Sequence, residues 1–309
     1  MKITEHQLNK EITYQYVTDK LNIEISPFKS PNCGQQKYKW YLLESSATCG
    51  ADSSTSGYLP ISVTRKTLTG LKLANTKSYK IAVEKHISTK RRKVVSRRSC
   101  SNAVIIDNSI PKGGWVRDGP GPITDINYQR SRIVHAHWGG FIMLHGAGKY
   151  EWKVDYYSNA SKQKREALSF TNVGLSTNAR RMFPNLSDGT NVTVTVRAYT
   201  KAGRFSQVTS DGSVIDTSPP APGKVYDGAK RGKDVKYAKW TSSFAANWER
   251  FIDQHSSIAY YKWVATLLYL ALDYFLCYEY FSFTDFVLTI IVFMLIDVNM
   301  ILLPFVYQL

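Results

Sequence analysis

Short runs of alternating apolar and polar residues recur along most of the chain. The first run places Leu21, Ile23 and Ile25 on one face and Asn22 and Glu24 on the other. Such alternation predicts a half-buried antiparallel strand. The same pattern returns twice, at Val134, Ala136 and Trp138 and at Phe244, Ala246 and Trp248. Because no helical period competes with it before Trp263, we predict an all-β fold over this part of the chain.

A second predicted strand follows each of these runs and is centred on an aromatic pair. The pairs are Tyr38/Trp40, Tyr150/Trp152 and Tyr261/Trp263. In the middle copy, a turn at 186–189 leads into a strand with Val192, Val194 and Val196 on its inner face. The tight hairpin Lys201–Ser206 then leads to the last strand. Each copy is therefore predicted to be a β-sandwich of about seven short strands.

Two similar strings, Ile106–Gly119 and Ile215–Gly228, separate the copies. Asp107 and Asp216, near the starts of the strings, are 109 residues apart (216 minus 107), a spacing that suits small autonomous domains. Prolines fix φ and lack an N–H donor, so we predict that the strings are stiff joints. The predicted domains are a partial first repeat at 1–105, a complete second repeat at 106–214, the start of a truncated third repeat at 215–263 and an apolar tail at 264–309.

These features together resemble fibronectin type III repeats. The resemblance is carried by the tryptophan of the second strand, the leucine–turn–strand unit at 186–199 and the Ala-Gly hairpin. The chain is similar to divergent animal extracellular repeats that are joined by Asp-Thr-(Ser/Thr)-Pro-Pro and an Asp-Gly turn. The resemblance covers residues 20–263 and implies tandem extracellular β-sandwiches. The family's corner tyrosine is matched by Tyr79 in the first copy and is replaced by Val192 in the second.

The two ends of the chain depart from this pattern. Residues 1–20 are polar and lack the apolar core of a signal peptide, and no proline-rich joint precedes the first copy. Residues 264–309 are strongly apolar, and 286–307 is long enough to cross a membrane as a helix. Asp297 and Asn299 lie within that segment, where an ionised carboxylate is costly, and no Lys or Arg follows it. Two interpretations stay open, namely a membrane anchor and translated non-coding sequence attached by a wrong splice junction.

The formal net charge of +16 is unevenly distributed. Residues 264–309 contain four acids and no Lys or Arg, so the preceding 263 residues carry 40 basic and 20 acidic residues. Six cations form a basic hairpin between the last two predicted strands of the first copy: Lys90, Arg91, Arg92, Lys93, Arg97 and Arg98. Such a cluster could bind sulfated glycans or acidic partners; the alternatives are a protease processing site and a solvated loop. Nucleic acid is not favoured, since aromatic residues do not interleave with the basic ones.

Cysteines and glycosylation sequons bear on the compartment of the protein. Cys33, Cys49, Cys100 and Cys277 allow three pairings. Cys33 and Cys49 flank the strand of Trp40, so we predict a bridge across the base of that hairpin, with reduced thiols as the alternative. Three Asn-x-Ser/Thr sequons occur in the middle copy, at Asn159, Asn185 and Asn191. They favour a secreted glycoprotein, with chance occurrence as the alternative.

The sequence contains no recognisable catalytic motif. His135 and His137 share the outward face of a predicted strand without a third ligand at a fixed spacing, so no metal site is predicted. Asp118, Asp125 and Asp155 are interpreted as turn and loop residues. We therefore predict a non-enzymatic extracellular module of a larger repeat protein, without a cofactor, that acts as a spacer and binds other proteins. The alternatives are a membrane-anchored receptor-like protein and a module that binds sulfated glycans through the basic hairpin.

Overall fold

A computed structural model of the chain describes residues 1–4, 11–26, 34–89, 93–157, 163–237, 243, 245–268 and 289–295. All regular elements within these ranges are β-strands, which confirms the predicted all-β fold. The strands form two successive sandwiches and, after them, two strand pairs.

The first sandwich contains ten strands. They are β1 (Lys2–Ile3), β2 (Tyr14–Gln15), β3 (Lys20–Glu24), β4 (Gln35–Glu44), β5 (Ser56–Pro60), β6 (Arg65–Thr69), β7 (Ser78–Ser88), β8 (Lys93–Val95), β9 (Ser99–Cys100) and β10 (Val104–Ile106). One sheet has the order β1-β3-β6, and the other has the order β2-β10-β7-β4-β5, with β8 and β9 also paired to β7. The short strand β2 runs parallel to β10.

The second sandwich repeats this plan. Its strands are β11 (Lys112–Asp118), β12 (Tyr128–Gln129), β13 (Ile133–Ile142), β14 (Ala147–Tyr157), β15 (Lys164–Asn172), β16 (Asn178–Met182), β17 (Asn191–Thr200), β18 (Phe205–Thr209) and β19 (Ser213–Ile215). The sheets have the orders β11-β13-β16 and β12-β19-β17-β14-β15, with β18 paired to β17. Here the short strand β12 runs parallel to β19. The two sandwiches therefore share one topology, including its parallel pair.

The core of each sandwich lies between its two sheets and comes from the alternating positions. In the second sandwich, Val192, Val194 and Val196 are fully buried, and Trp138 and Trp152 pack with them. Burial of apolar surface contributes about 25 cal/mol for each Å² removed from water, so these large side chains dominate the stability of the core. The predicted inner face of β17 is confirmed.

The corner tyrosine is also found in the first sandwich. The N–H of Ala74 donates a hydrogen bond to the hydroxyl of Tyr79 at 3.0 Å, and the Tyr79 side chain is buried. Tyr79 pairs with Val104, and Val192 holds the equivalent position opposite Ser213. Because valine has no hydroxyl, the second sandwich keeps the packing at this position and loses the side-chain hydrogen bond.

Each sandwich uses one buried serine to complete the hydrogen bonding of its central strand. The N–H of Val194 donates to Ser210 Oγ at 3.0 Å, and the Ser210 N–H donates to the Val194 carbonyl at 2.9 Å. Ser101 makes the same two bonds with Ile81 in the first sandwich. The serine side chain thus replaces a strand neighbour where the last strand turns away.

Replacing Ser210 by alanine should leave the Val194 N–H without its acceptor and remove the hydrogen bond between the Ser210 hydroxyl and Asp118. A buried unpaired donor costs about 1–3 kcal/mol, so the unfolding free energy of the Ser210→Ala variant should fall by that amount. Ser206→Ala is a suitable control, because Ser206 Oγ is buried and has no hydrogen-bond partner among the described residues. Urea unfolding of both variants measures the difference, and equal losses would show that the Ser210 bond contributes nothing specific.

The strands after the second joint string begin a third copy of the same pattern. Strand β20 (Val225–Asp227) pairs with β21 (Ala246–Trp248) so that Val225 lies opposite Trp248. In the second sandwich Val116 lies opposite Trp138 in the same way. The repeat seen in the sequence is therefore a repeat of strand register. Phe244, which belongs to the sequence pattern of this copy, lies outside the described residues.

The apolar tail is extended where the structure describes it. Strand β22 (Lys262–Leu268) pairs antiparallel with β23 (Thr289–Leu295). The helix predicted over 286–307 is thus wrong for Thr289–Leu295, and the rest of that segment lies outside the described residues. The physical reason is the run Thr-Ile-Ile-Val at the start of β23, because β-branched residues favour strands. In the described ranges no helix is long and apolar enough to cross a membrane.

Candidate functional site

The two joint strings fold locally in the same way. At the first joint, Asp107 Oδ1 accepts hydrogen bonds from the Ser109 N–H at 3.1 Å and from the Ser109 hydroxyl. At the second joint, Asp216 Oδ1 accepts from the Ser218 N–H at 3.2 Å and from its hydroxyl at 2.9 Å. Both aspartates are buried. An aspartate that bonds the backbone two residues on forms an Asx turn, which fixes the direction in which the string leaves its sandwich.

Each joint is also tied to the sandwich that precedes it. The N–H of Asp107 donates to the Gln15 carbonyl at 2.8 Å, and the N–H of Asp216 donates to the Gln129 carbonyl at 2.9 Å. Gln15 and Gln129 end the parallel strands β2 and β12, whose sequences are both Tyr-Gln. Sequence reasoning missed these strands, although the recurrence of Tyr-Gln at an offset of 114 (128 minus 14) was a usable signal.

Aromatic and cationic side chains cross the first joint. The rings of Tyr14 and His145 are 5.5 Å apart, and Lys201 Nζ lies 5.4 Å from the centre of the Tyr14 ring. Arg204 lies 5.8 Å from the centre of the Tyr16 ring. His145 belongs to the β13–β14 turn, and the two cations belong to the hairpin between β17 and β18. The loops of the second sandwich therefore contact the Tyr-Gln strand of the first.

The second joint brings equivalent elements together. Tyr128, Gln129 and Arg130 line a cavity of about 290 Å³ together with residues 256–260, which lie in the β21–β22 loop of the next copy. Asp216 and Pro220 of the joint string line the same cavity. A Tyr-Gln strand thus faces the equivalent loop of the following copy at both joints.

The disulfide differs from the predicted one. Cys49 is bonded to Cys100, with their Cα atoms 5.9 Å apart, so the predicted Cys33–Cys49 bridge is wrong. Cys33 and Cys277 lie outside the described residues. The loop after β4 folds back over the outer face of the sheet, where Ala47, Cys49 and Ala51 pack against Tyr41, Leu43 and Ala82. This return brings Cys49 beside β9, away from the base of the hairpin that carries Trp40.

Glu84 in β7 is the centre of a charged network under this loop. The Tyr41 hydroxyl donates to Glu84 Oε1 at 2.5 Å, His86 Nε2 lies 2.7 Å from the same oxygen, and Arg98 Nε donates to Oε2 at 2.9 Å. Arg98 also bonds Asp52 at 3.2 Å and stacks 3.8 Å over the Tyr41 ring. Burial raises the pKa of Glu84, but the hydrogen bonds from Tyr41, His86 and Arg98 outweigh it and lower the pKa to about 2.

The basic hairpin is only partly available as a binding surface. Lys93 and Arg97 are exposed, whereas the Arg98 side chain is 15% exposed and committed to Glu84. Lys90, Arg91 and Arg92 lie outside the described residues. Of the three described cations of this hairpin, two have exposed side chains. Arg98 is therefore not part of the exposed cationic patch that the sequence predicted.

The outer face of the second sandwich carries a ladder of paired charges and aromatic rings. Glu151 accepts from Lys149 at 2.5 Å and from the Tyr199 hydroxyl at 2.8 Å. Arg197 lies between two rings, 3.6 Å from the centre of Phe170 and 4.9 Å from that of Phe205. These charged and aromatic side chains contact one another, and together they cover the outer face of the sheet that contains β14 and β17.

Asp155 continues this ladder and corrects an expectation. It is buried within β14 and forms ion pairs with Lys153 and Lys164, both at 3.0 Å. The interpretation of Asp155 as a loop residue is therefore wrong. A strand of alternating pattern can hold a buried carboxylate on its outer face when two lysines neutralise it.

Three carboxylates meet where β11 ends. One oxygen each of Asp118, Asp125 and Asp211 lies within 4.8 Å of the others, a spacing that could hold a metal ion. Asp118 is buried at the end of β11, so its interpretation as a loop residue is wrong, whereas Asp125 lies in the following loop and accepts from the Asp118 N–H at 2.9 Å. Burial raises the pKa of Asp118 to about 6, and the charges of Asp125 and Asp211 act in the same direction, against hydrogen bonds from Ser210 and Gly212.

The stability of the second sandwich should depend on the protonation of Asp118. Because the folded pKa of about 6 exceeds the ordinary value of 3.8, the stabilising contribution is present at acid pH and is lost as pH rises through 6. The full difference amounts to about 3 kcal/mol. About 2 kcal/mol of this difference falls between pH 4.5 and pH 7.5, so urea unfolding at these two pH values should show that loss in the wild type and not in Asp118→Asn. The same pH slope in both proteins would contradict the assignment.

The two histidines of the predicted strand are in different environments. His137 Nδ1 lies 3.2 Å from the Gly119 carbonyl. Burial lowers the pKa of His135, and the charges of Arg180 and His137 act in the same direction.

The three sequon asparagines differ in exposure. Asn185 is exposed and Asn191 is half-buried, whereas Asn159 lies outside the described residues.

Comparisons with known proteins add structural similarities of low sequence identity. No family model and no curated protein matches the chain. Similar solved structures include the FN1–FN3 domains of chicken CNTN1, with a TM-score of 0.33, 11% identity and coverage of 68% of this chain and 67% of the other. A Ca²⁺-stabilised adhesin with which an Antarctic bacterium binds ice gives a TM-score of 0.37 and 11% identity, covering 75% of this chain and 52% of the adhesin. A tetra-tandem repeat from the extending region of a large adhesion protein gives 0.27 and 12%, covering 65% and 46%.

The strand order itself characterises the two sandwiches. A three-stranded sheet, β11-β13-β16, faces a sheet in which β18, β17, β14 and β15 are neighbours. The first sandwich has the same arrangement. Both are therefore fibronectin type III-like sandwiches, as the sequence resemblance implied.

Proposed function

We propose that the chain is a non-enzymatic extracellular spacer, part of a larger tandem-repeat protein, that presents its sandwiches to protein partners in a fixed relative orientation. Its repeats are bounded at 1–105, 106–214 and 215–263, as the sequence predicts. The observation that carries this proposal is the joint, which uses the same turn and the same strand on both occasions and places that strand opposite the equivalent loop of the next copy.

A spacer needs joints that resist bending, and the contacts at the first joint supply this. The hydrogen bond from Asp107 to Gln15 anchors the string, and the rings of Tyr14 and Tyr16 are held by His145 and by two cations. Each cation–π contact contributes about 0.5–1 kcal/mol at an exposed site. Several such contacts acting on one joint favour a single orientation over free rotation.

The ion pairs formed by two buried carboxylates, Glu84 and Asp155, support a structural role. Glu84 and Arg98 are tied to each other under a loop, and Asp155 is tied to two lysines on its sheet. An active site keeps some of its charged groups available to a substrate within a cleft. These groups are instead satisfied within the fold, which suits a module that binds through its surface.

The Cys49–Cys100 bond supports an extracellular location. Disulfides persist in oxidising compartments and are rare in the cytosol. Peptide mapping of the native protein without reduction tests this point, with free thiols blocked at lysis. We expect a crosslinked peptide pair containing Cys49 and Cys100, and recovery of both as blocked free thiols would contradict the extracellular assignment.

A further inference from the structure

The two described sequons differ in the exposure of their asparagine. Asn191 is the first residue of β17, between β14 and β19. Its Oδ1 is buried and has no hydrogen-bond partner among the described residues. Asn185 is exposed and lies in the turn between β16 and β17.

The segment at Gly212 packs closely against the Asn191 side chain. A Cβ added to Gly212 would lie 2.7 Å from Asn191 Oδ1, and Gly212 has a φ of +98°, a conformation that favours glycine. The backbone thus closes over the Asn191 side chain. The Gly212 N–H also donates to Asp118 at 3.0 Å, so moving this segment would break a buried hydrogen bond. Asn191 is therefore held against a fixed segment, and of the two asparagines we expect only the exposed Asn185 to carry a sugar.

Asn185 lines an open cleft at one edge of the second sandwich. This edge cleft, of about 360 Å³, lies between β15 and β16, and its lining includes Tyr156, Met182 and Phe183. The Met182 side chain is 54% exposed. Arg181 and Glu166 lie at the same cleft and offer a donor and an acceptor. Met182 is therefore an exposed apolar side chain with polar groups beside it.

The two strands that border the edge cleft end their sheets. β15 pairs with β14 and β16 pairs with β13, and in the described part of the chain neither has a partner on its other side. Open strand edges invite pairing with other chains, and proteins commonly cover them. The turn that holds Asn185 is itself fixed, because Arg132 Nε donates to the Leu186 carbonyl at 2.7 Å.

We propose that Asn185 carries an N-linked glycan whose first sugars lie in the edge cleft, cover Met182 and shield the two strand edges. The glycan is the expected occupant of the cleft because the asparagine to which it is attached lines the cleft. The apolar faces of the sugar rings pack against Tyr156 and Met182, and their hydroxyl and acetamido groups bond Arg181 and Glu166. This inference rests on the proposed extracellular location.

Site occupancy tests the first half of this proposal. The full chain is expressed behind a signal peptide in secretory cells, and the asparagines are mapped by enzymatic deglycosylation in H₂¹⁸O followed by peptide mass spectrometry. We expect the ¹⁸O label at Asn185 and not at Asn191. In gel electrophoresis, the Asn185→Gln variant should migrate faster than the wild type by the mass of one glycan, whereas Asn191→Gln should migrate like the wild type. An unlabelled Asn185 would overturn the proposal.

Oxidation of Met182 tests whether the sugars occupy the cleft. Exposed methionine is oxidised by hydrogen peroxide more readily than covered methionine, so the glycosylated protein should oxidise at Met182 about threefold more slowly than Asn185→Gln. The half-buried Met143 is the internal reference and should not change. Trimming the glycan to its first sugar should retain the protection. Equal oxidation rates at Met182 would overturn the seating of the glycan. The orientation of the sandwiches does not depend on either result, so failure here is distinct from failure of the spacer.

Discussion

The Glu84→Gln variant is expected to lose about 3–5 kcal/mol of unfolding free energy in the first sandwich, the typical result of breaking a buried ion pair. Glutamine keeps the shape of the side chain but leaves the Arg98 charge in a site where it is 15% exposed. The loss therefore comes from a mostly buried cation that keeps only the exposed Asp52 as a carboxylate partner, and not from altered packing. Chemical denaturation of the full chain, followed by the signal of the first sandwich, measures the change.

A matched control separates the buried pair from ion pairs in general. Glu44 pairs with Lys77 at 2.6 Å, and both side chains are about half exposed. Exposed pairs contribute about 0–1 kcal/mol, so Glu44→Gln should be nearly neutral. If Glu84→Gln and Glu44→Gln have equal effects, the network under the loop does not stabilise the fold.

The same network predicts how the first sandwich responds to acid. The folded pKa of Glu84, about 2, lies below its ordinary value of 4.5. The stabilising contribution is therefore present above pH 4.5 and is lost as pH falls towards 2, by about 3 kcal/mol in total. In Glu84→Gln this part of the acid dependence should be absent, which a series of unfolding curves between pH 2 and 6 would show.

Removal of the Cys49–Cys100 bond is expected to lower the unfolding free energy of the first sandwich by about 4 kcal/mol, the entropic estimate for a loop of this length. The two cysteines are 51 residues apart in sequence, so the bond restricts a long loop of the unfolded chain. The bond also holds the loop after β4 against Tyr41 and Leu43. Its loss should therefore loosen the cover over Glu84 as well.

The double variant Cys49→Ser/Cys100→Ser and the chemically reduced wild type should show the same loss of stability. Cys33→Ser is the control, because it leaves the observed bond intact and removes the partner that the sequence suggested. Thermal unfolding with and without reductant gives the comparison. A large loss in Cys33→Ser with no loss in the double variant would contradict the observed pairing.

Local features of the sequence predicted most of the fold. The alternation at Leu21, Ile23 and Ile25 and the inner valines of β17 are short-range signals, and each strand appears where its pattern lies. The joint strings were visible because Pro and Gly restrict or extend backbone freedom whatever the surrounding fold. These signals survive without knowledge of the three-dimensional structure.

Features that depend on distant contacts could not be predicted. The Cys49–Cys100 bond requires a loop to return over the sheet, and sequence distance instead favoured Cys33. Arg98 looked like part of a surface cluster, but the covered Glu84 lies within reach of its side chain. Tyr14-Gln15 is too short to show a strand pattern, and only its pairing with β10 makes it one.

The cluster of three carboxylates is a further feature that the sequence could not predict. Asp118, Asp125 and Asp211 are separated by up to 93 residues in sequence (211 minus 118), and no spacing rule joins them. Their meeting follows from the turn after β11 and from the return of the chain between β18 and β19. The sequence showed the repeated Asp-Gly of the joint strings. It did not show that the aspartate of the first Asp-Gly, Asp118, would be buried.

The fixed orientation of the sandwiches is tested most directly by pulsed electron spin resonance. Spin labels on unnatural amino acids at Lys66 and Leu175, both exposed and on different sandwiches, report the distance between the two modules. We predict one narrow distance distribution in the wild type, which broadens in Tyr14→Ala/Tyr16→Ala because the ring contacts across the joint are lost. A wild-type distribution as broad as that of the variant would contradict the spacer.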